Sequence, residues 1–282
     1  MKKSHIVIID GMYMLHRARS GFKLGPAPAI YNFMRSFRAL VEKFEPSRLY
    51  FALEGHPQQR IDAMPSYKAN RDVEAGTPEA KELETFYAQV DVIVAYLKAH
   101  FPVSVVRHPD YECDDTIANL VKRSSTSVEW TIVSGDSDFT QLLNERMNVK
   151  IYNPVKKEFV QRPPYDYVTW KALRGDSTDN IPGIPGIGDV KATQMMDSPE
   201  LLQEVLDRKD WSEIFERNYN LIKFYEWDDI EAFKMTSSTP ERNWDVVKSL
   251  FERHGFNSIT KPEAWEKFVS TFDRLFGNEM IP

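Results

Sequence analysis

The chain has 282 residues, 42% of them hydrophobic and 28% charged, which fits a globular protein of one or two domains and excludes a disordered one. Its single cysteine, Cys113, excludes an intramolecular disulfide and a cysteine-based zinc site. The opening MKKSHIVIIDGMYML holds too short an apolar run for a signal peptide or a membrane span, so a cytoplasmic protein is expected. A formal net charge of −6 speaks against a nucleic-acid partner unless the carboxylates are concentrated in one place.

Residues 5–9, HIVII, predict a buried strand ending at Asp10. Residues 30–44 carry apolar side chains at helical spacing, and 48–53, RLYFAL, predict a second strand ending at Glu54. A long amphipathic helix is predicted over 78–101, a third strand over 103–106 and a helix over 114–123. Residues 130–133 predict a fourth strand, running into SGDSD, and 149–152 a fifth. This alternation of strands and helices, with nearly continuous apolar strands, implies an α/β fold with a mostly parallel central sheet flanked by helices. After about residue 164 no strand is evident, only helical patterns broken by Gly and Pro. A boundary is therefore expected between an α/β domain, 1–165, and a helical one, 166–282. DVEAGTP at 72–78 and TSSTP at 236–240 read as exposed turns.

The acidic residues are not spread evenly. Asp10, Glu54 and Asp136 fall at or just beyond the C-terminal ends of predicted strands, the edge where open α/β sheets bind ligands. Glu112, Asp114 and Asp115 lie in the connection after strand three, Asp136 and Asp138 in the one after strand four, and Asp176 and Asp179 further on. Singly, such residues are ordinary helix caps. Together, nine carboxylates on one edge would repel and raise one another's pKa, and hard divalent cations offset that repulsion. Two ions about 3.5–4 Å apart among several acids mark phosphoryl-transfer and nuclease sites. With those nine set aside, the rest of the chain is mildly basic.

Asp176 and Asp179 stand directly before IPGIPGIGDVKA. Pro182 and Pro185 set turns, Gly183, Gly186 and Gly188 allow close backbone approach, and a helix is predicted from near Asp189. Bare amides at a helix start, with Lys191 beside them, suit a phosphate whatever the base sequence. The arrangement puts a phosphate grip next to candidate metal ligands. Cys113 is expected to pack in the core, and the six histidines show no ligand spacing. The later aromatics, Trp211, Phe224, Tyr225, Trp227, Trp244 and Trp265, read as packing residues.

Taken together, IIDGMYMLHR, YECDD, SGDSDFTQLL and GDSTDNIPGIPGIGDVKA resemble the 5′-nuclease (flap endonuclease) family of phages and of the N-terminal domain of bacterial DNA polymerase I. The four blocks occur in family order, and the resemblance runs over roughly residues 5–275. It implies an α/β domain joined to a helix-hairpin-helix domain, with an arch over about 55–90. It also implies that Asp10, Glu112, Asp114 and Asp136 serve one metal and that Asp115, Asp138, Asp176 and Asp179 serve a second. Glu54 stands where the family has Asp. The resemblance further implies that Tyr67, Lys68, Arg71 and Arg17 attend the scissile phosphate. Gly183, Gly186, Ile187, Gly188 and Lys191 would hold duplex DNA, with a potassium ion in the hairpin loop. Mg²⁺ is the implied cofactor, with Mn²⁺ as substitute. The implied substrate is branched DNA with a free 5′ end, or an RNA–DNA hybrid, cut to 5′-phosphate and 3′-hydroxyl ends. A stand-alone monomer is expected.

Two other readings are weaker. A haloacid-dehalogenase-type phosphatase needs a second Asp two residues after the first, and Asp10-Gly11-Met12 lacks it. A non-enzymatic DNA-binding protein would have no use for carboxylates that repel phosphate.

Overall fold

The computed structural model describes residues 4–22, 25–71 and 73–276. Asp72, at the start of the expected 72–78 turn and inside the expected arch, lies outside them. Five parallel strands form the centre of one sheet: β1 (His5–Asp10), β2 (Arg48–Leu53), β3 (Ser104–Arg107), β4 (Glu129–Val133) and β5 (Val149–Asn153). Two-residue antiparallel strands, β6 (Glu158–Phe159) and β9 (Thr236–Ser237), close its edges, giving the order β6-β5-β4-β1-β2-β3-β9. The strand order reverses between β4 and β1, so the crevice of this sheet opens at the carboxyl end of β1, where Asp10 sits.

The helices in chain order are α1 (Gly11–Arg19), α2 (Pro28–Phe44), α3 (Gln58–Ala63), α4 (Pro78–His100), α5 (Cys113–Arg123), α6 (Thr140–Glu145) and α7 (Tyr167–Arg174). They continue with α8 (Asp189–Met196), α9 (Pro199–Leu206), α10 (Lys209–Ile222), α11 (Asp229–Phe233), α12 (Trp244–Arg253), α13 (Asn257–Thr260) and α14 (Pro262–Asp273). Period-2 alternation decides the two faces of the sheet. Val7 and Ile9 of β1 join a core with α1, α2 and α4, while Ile6 and Ile8 join a second core with α5 and α6.

The expectation that no strand follows residue 164 is corrected. A short ladder pairs β7 (Gly175–Asp176) with β8 (Ile181–Pro182), and β9 lies in the segment read as the exposed turn TSSTP. All three strands have only two residues, too few for a period to show. The residues after 165 also divide between two places. Helices α7–α10 surround small cores around Leu173, Ile184, Ala192 and Leu221. Helices α12–α14 return to the sheet and bury Phe251, Phe268 and Phe272 in the α2/α4 core. There Phe272 stacks on Phe37 at 5.3 Å and meets Phe101 edge-on at 5.1 Å. Among the described residues no helix is long and apolar enough to cross a membrane.

Candidate metal centre

Local structure and site are built from the same residues. Asp10 ends β1 and caps α1, its Oδ1 accepting from the Tyr13 amide at 3.0 Å and its Oδ2 from Ser134 Oγ at 2.7 Å. Glu54 follows β2, and its Oε2 accepts from the Cys113 amide at 2.5 Å, holding the start of α5. Glu112 is the residue before α5, and Asp114 lies in its first turn. Asp136 follows β4, and its Oδ1 accepts from the Asp138 amide at 2.8 Å.

Asp10, Glu54, Asp114 and Asp136 line one cavity of about 560 Å³, together with Lys68 and Arg71. His16 and Arg19 of α1 and Leu83 and Tyr87 of α4 form its other wall. Burial, with the neighbouring carboxylates, pushes Glu54 up to about 7 and Asp136 up to about 6. Asp10 is raised by burial, and Asp114 by burial and then by Asp136, Asp10 and Glu54. Among the described residues none of these four acids forms an ion pair with a lysine or arginine. Lys68 and Lys171 offset their charge only through space, and lower their pKa less than burial and mutual repulsion raise it.

The second group sits beside the first. Asp138, Asp176 and Asp179 each present a carboxylate oxygen within 4.8 Å of the others. Lys171 pairs with Asp138 and, at 2.6 Å, with Asp176. Burial would raise Asp176, but Lys171 outweighs it and holds the carboxyl below its usual range. The ladder between β7 and β8 fixes Asp176, and the turn Ser177–Asp179 brings Asp179 against the Lys68 loop. That loop is tied down at both ends. The Lys68 amide donates to the Asp179 carbonyl at 3.0 Å, and Asn70 Nδ2 donates to the Ser177 carbonyl at 3.1 Å. Lys68, at a positive φ of 55°, reaches Glu112 at 2.5 Å and Asp179 at 3.9 Å. Arg71 pairs with Asp179, and the buried Tyr67 hydroxyl donates to Glu112 at 2.9 Å.

Carboxylate oxygens in two adjacent clusters, the first with no direct ion pair to a lysine or arginine among the described residues, suit hard divalent ions. A stability consequence follows. The folded, metal-free protein must keep Glu54 and Asp136 protonated to higher pH than the unfolded chain does, from the usual 4.5 and 3.8 up to about 7 and about 6. The folded state therefore binds more protons in that window, and stability falls as pH rises through it. Metal-free protein is expected to melt several degrees lower at pH 8 than at pH 5, and millimolar Mg²⁺ is expected to restore the loss at pH 8. Melting curves that do not change with pH in metal-free protein would show that the acids are not crowded.

Three expected site residues are placed elsewhere. Asp115 is fully buried and gives both carboxylate oxygens to Arg60, at 2.5 and 3.0 Å. Arg17 turns to the other side of α1, where its Nη1 donates to Ser36 Oγ of α2 at 3.3 Å and it lines a separate groove. One helical step sets that outcome: His16 and Arg19, not Arg17, face the acids. Ile187 is buried under the hairpin, and its amide donates to the Ile184 carbonyl at 3.0 Å. Gly188 and the start of α8 carry no side-chain cap, and Lys191 leans toward Gly186. The sequence does not single out Lys171, and Arg60 stands out only for its spacing from Glu54, not as a partner of Asp115. Nothing in a local pattern marks Arg60 as the partner of Asp115 or Lys171 as the partner of Asp138, because fifty-five and thirty-three residues separate the pairs.

An α/β sheet with carboxylates clustered at one edge, flanked by a glycine-rich helical hairpin, defines the class of protein. The family described as "5′-3′ exonuclease, N-terminal resolvase-like domain" matches residues 5–169, and "5′-3′ exonuclease, C-terminal SAM fold" matches 162–229. The chain belongs to the 5′-3′ exonuclease family. A 5′-3′ exonuclease of Streptomyces coelicolor is 33% identical over 190 residues, covering 61% of this chain and 62% of the relative. The thermostable DNA polymerase I of Thermus filiformis is 32% identical over 222 residues, covering 72% of this chain and 25% of the polymerase. The chain thus spans less than two thirds of the length of both relatives. The bacteriophage T5 flap endonuclease, solved with DNA and metal ions, has the same fold, with a TM-score of 0.64 at 19% identity over 94% of this chain and 99% of that one.

Proposed function

We propose that the chain is a divalent-metal-dependent, structure-specific 5′ nuclease acting on branched DNA with a free 5′ end and, as a 5′-3′ exonuclease, on duplex ends. The observation that carries this reading is the pairing of two carboxylate clusters beneath a tethered lysine–arginine loop. In it, Asp10, Glu112, Asp114 and Asp136, with Glu54 beside them, hold one Mg²⁺. Asp138, Asp176 and Asp179 hold another. When bound, the two ions lower the pKa of the attacking water and stabilise the leaving 3′ oxygen.

The chain's own residues do the rest. Lys68 and Arg71, now paired with Glu112 and Asp179, stand where charge builds on the phosphoryl oxygens and offset it. Tyr67 holds Glu112 from the side. The free amides at the start of α8, with Lys191, hold a duplex through phosphates and carry no base information. The 55–90 segment, including α3 and the first half of α4, acts as the arch admitting the 5′ strand. The proposal includes a potassium ion in the hairpin loop, Mn²⁺ as a substitute for Mg²⁺, RNA–DNA hybrids as a second substrate, a monomer, and a cytoplasmic setting.

A labelled DNA with a 5′ single-stranded arm tests it. Cleavage near the branch is expected with Mg²⁺ or Mn²⁺ and is lost in excess chelator, while Ca²⁺ does not restore it. Full cleavage in chelator would sink the two-metal reading. No cleavage of branched or linear DNA with either metal would sink the nuclease reading.

A further inference from the structure

Arg60 is almost wholly buried, 3% exposed, yet it belongs to a short helix at the base of the proposed arch. Its guanidinium is satisfied from three elements. It makes the forked pair with Asp115 and reaches Glu112 Oε2 at 3.1 Å, both on or beside α5. Its Nε donates to the Leu221 carbonyl at 2.9 Å, at the end of α10. Tyr225 lies against it at 4.7 Å from the ring centre, and the Tyr225 amide donates to Asp115 Oδ1 at 2.9 Å. One buried cation thus ties the acid-bearing helix to the segment that leaves the hairpin's helices. A planar fork can do this, whereas an ammonium cannot reach all these partners at once.

We propose that Arg60 and Asp115 form a positioning pair: Asp115 ligates no metal, and the pair sets the angle of Glu112 and the seat of α10 against the acidic edge. Both Asp115 oxygens are already committed, one to Arg60 alone and one to Arg60 and the Tyr225 amide. Drawing an oxygen of Asp115 onto an ion would strand a buried guanidinium, which is costly. Asp138, Asp176 and Asp179 meet one another without it. The inference rests on the nuclease reading only for its kinetic consequence.

The test uses Asp115→Asn, Arg60→Lys and, as the comparison, Asp179→Asn. Mn²⁺ binding is measured by electron paramagnetic resonance, duplex affinity by gel-shift in chelator, and cleavage by single turnover at saturating Mn²⁺. Asp115→Asn and Arg60→Lys are expected to keep the parental number of Mn²⁺ ions, with affinities within about threefold, and duplex binding within about twofold, while cleavage slows at least about tenfold. Asp179→Asn is expected to lose affinity for one ion. Loss of an ion in Asp115→Asn comparable to that in Asp179→Asn would make Asp115 a ligand and overturn the inference. Parental cleavage by both pair variants would overturn the positioning role. If the parent itself does not cleave, the nuclease reading fails, but the Mn²⁺ measurement still decides whether Asp115 is a ligand. If Asp115→Asn does not fold, the double variant Arg60→Met with Asp115→Leu takes its place in the same measurements, since it leaves neither member of the pair as a lone buried charge.

Discussion

Asp136→Asn is expected to slow single-turnover cleavage of a 5′-flap DNA about a thousandfold, the loss that follows from several kcal/mol of missing charge stabilisation. Asp136 stands at the mouth of the crevice, where it shares the cavity with Asp10, Glu54 and Asp114. It is the leading charge acting on Asp114, whose pKa burial and neighbours already raise. Replacing it removes one charged oxygen from the proposed metal site and relieves repulsion on the other acids. The same change should therefore leave DNA affinity in chelator unchanged or raise it, because one charge that repels phosphate has gone. The backbone has no reason to move: the Asn side-chain oxygen can still accept from the Asp138 amide, as Asp136 Oδ1 now does at 2.8 Å. A variant that cleaves at the parental rate would remove Asp136 from the site.

The second large effect is expected from Gly183→Val, which should abolish duplex binding and also weaken Mn²⁺ binding at the proposed second site, Asp138, Asp176 and Asp179. A Cβ at Gly183 would lie 2.1 Å from the Arg174 carbonyl oxygen and 2.3 Å from its carbon. Those atoms are backbone and cannot swing aside, so the cost is about 3 kcal/mol, borne by the hairpin seat. Gly175 faces Gly183 just as closely and takes a φ of 80°, which a side chain would resist. These two glycines let β7 and β8 pair, and β7 carries Asp176 to its place opposite Lys171. Gly188→Val provides the contrast. Nothing lies within 4 Å of a Cβ there, and its φ of −107° suits any residue. It should melt like the parent, keep its Mn²⁺ affinity, and bind duplex about tenfold more weakly, because the valine covers the amides that open α8. Normal duplex binding by a folded Gly188→Val would show that the start of α8 is not the grip. Gly186→Val mixes both effects, since Gly186 is exposed to solvent but holds a φ of 79°.

The sequence by itself determined the parallel sheet and most of the acidic edge. Each of β1, β2 and β4 is a short, nearly continuous apolar run that ends at or just before an acid, and the end of such a run is visible without any contact. The punctuation of GDSTDNIPGIPGIGDVKA likewise specified a tight hairpin, because glycine and proline act on their own backbone. The two-residue strands were hidden because a period needs more residues than they have.

What only the tertiary structure decided was which way equivalent side chains turn and what meets them. Asp114 and Asp115 are neighbours of the same charge in one helical turn. One opens to the cavity while the other is clasped by Arg60 from fifty-five residues away. Arg17 and Arg19 lie on one helix, and α2 takes the first while the acid cavity takes the second. Helices α12–α14 read as part of the helical half, yet their phenylalanines complete the core of the sheet domain. Strand ends and turns are local properties of a chain. The partner of a buried charge, and the face that an amphipathic helix covers, depend on surfaces that exist only after the chain has folded.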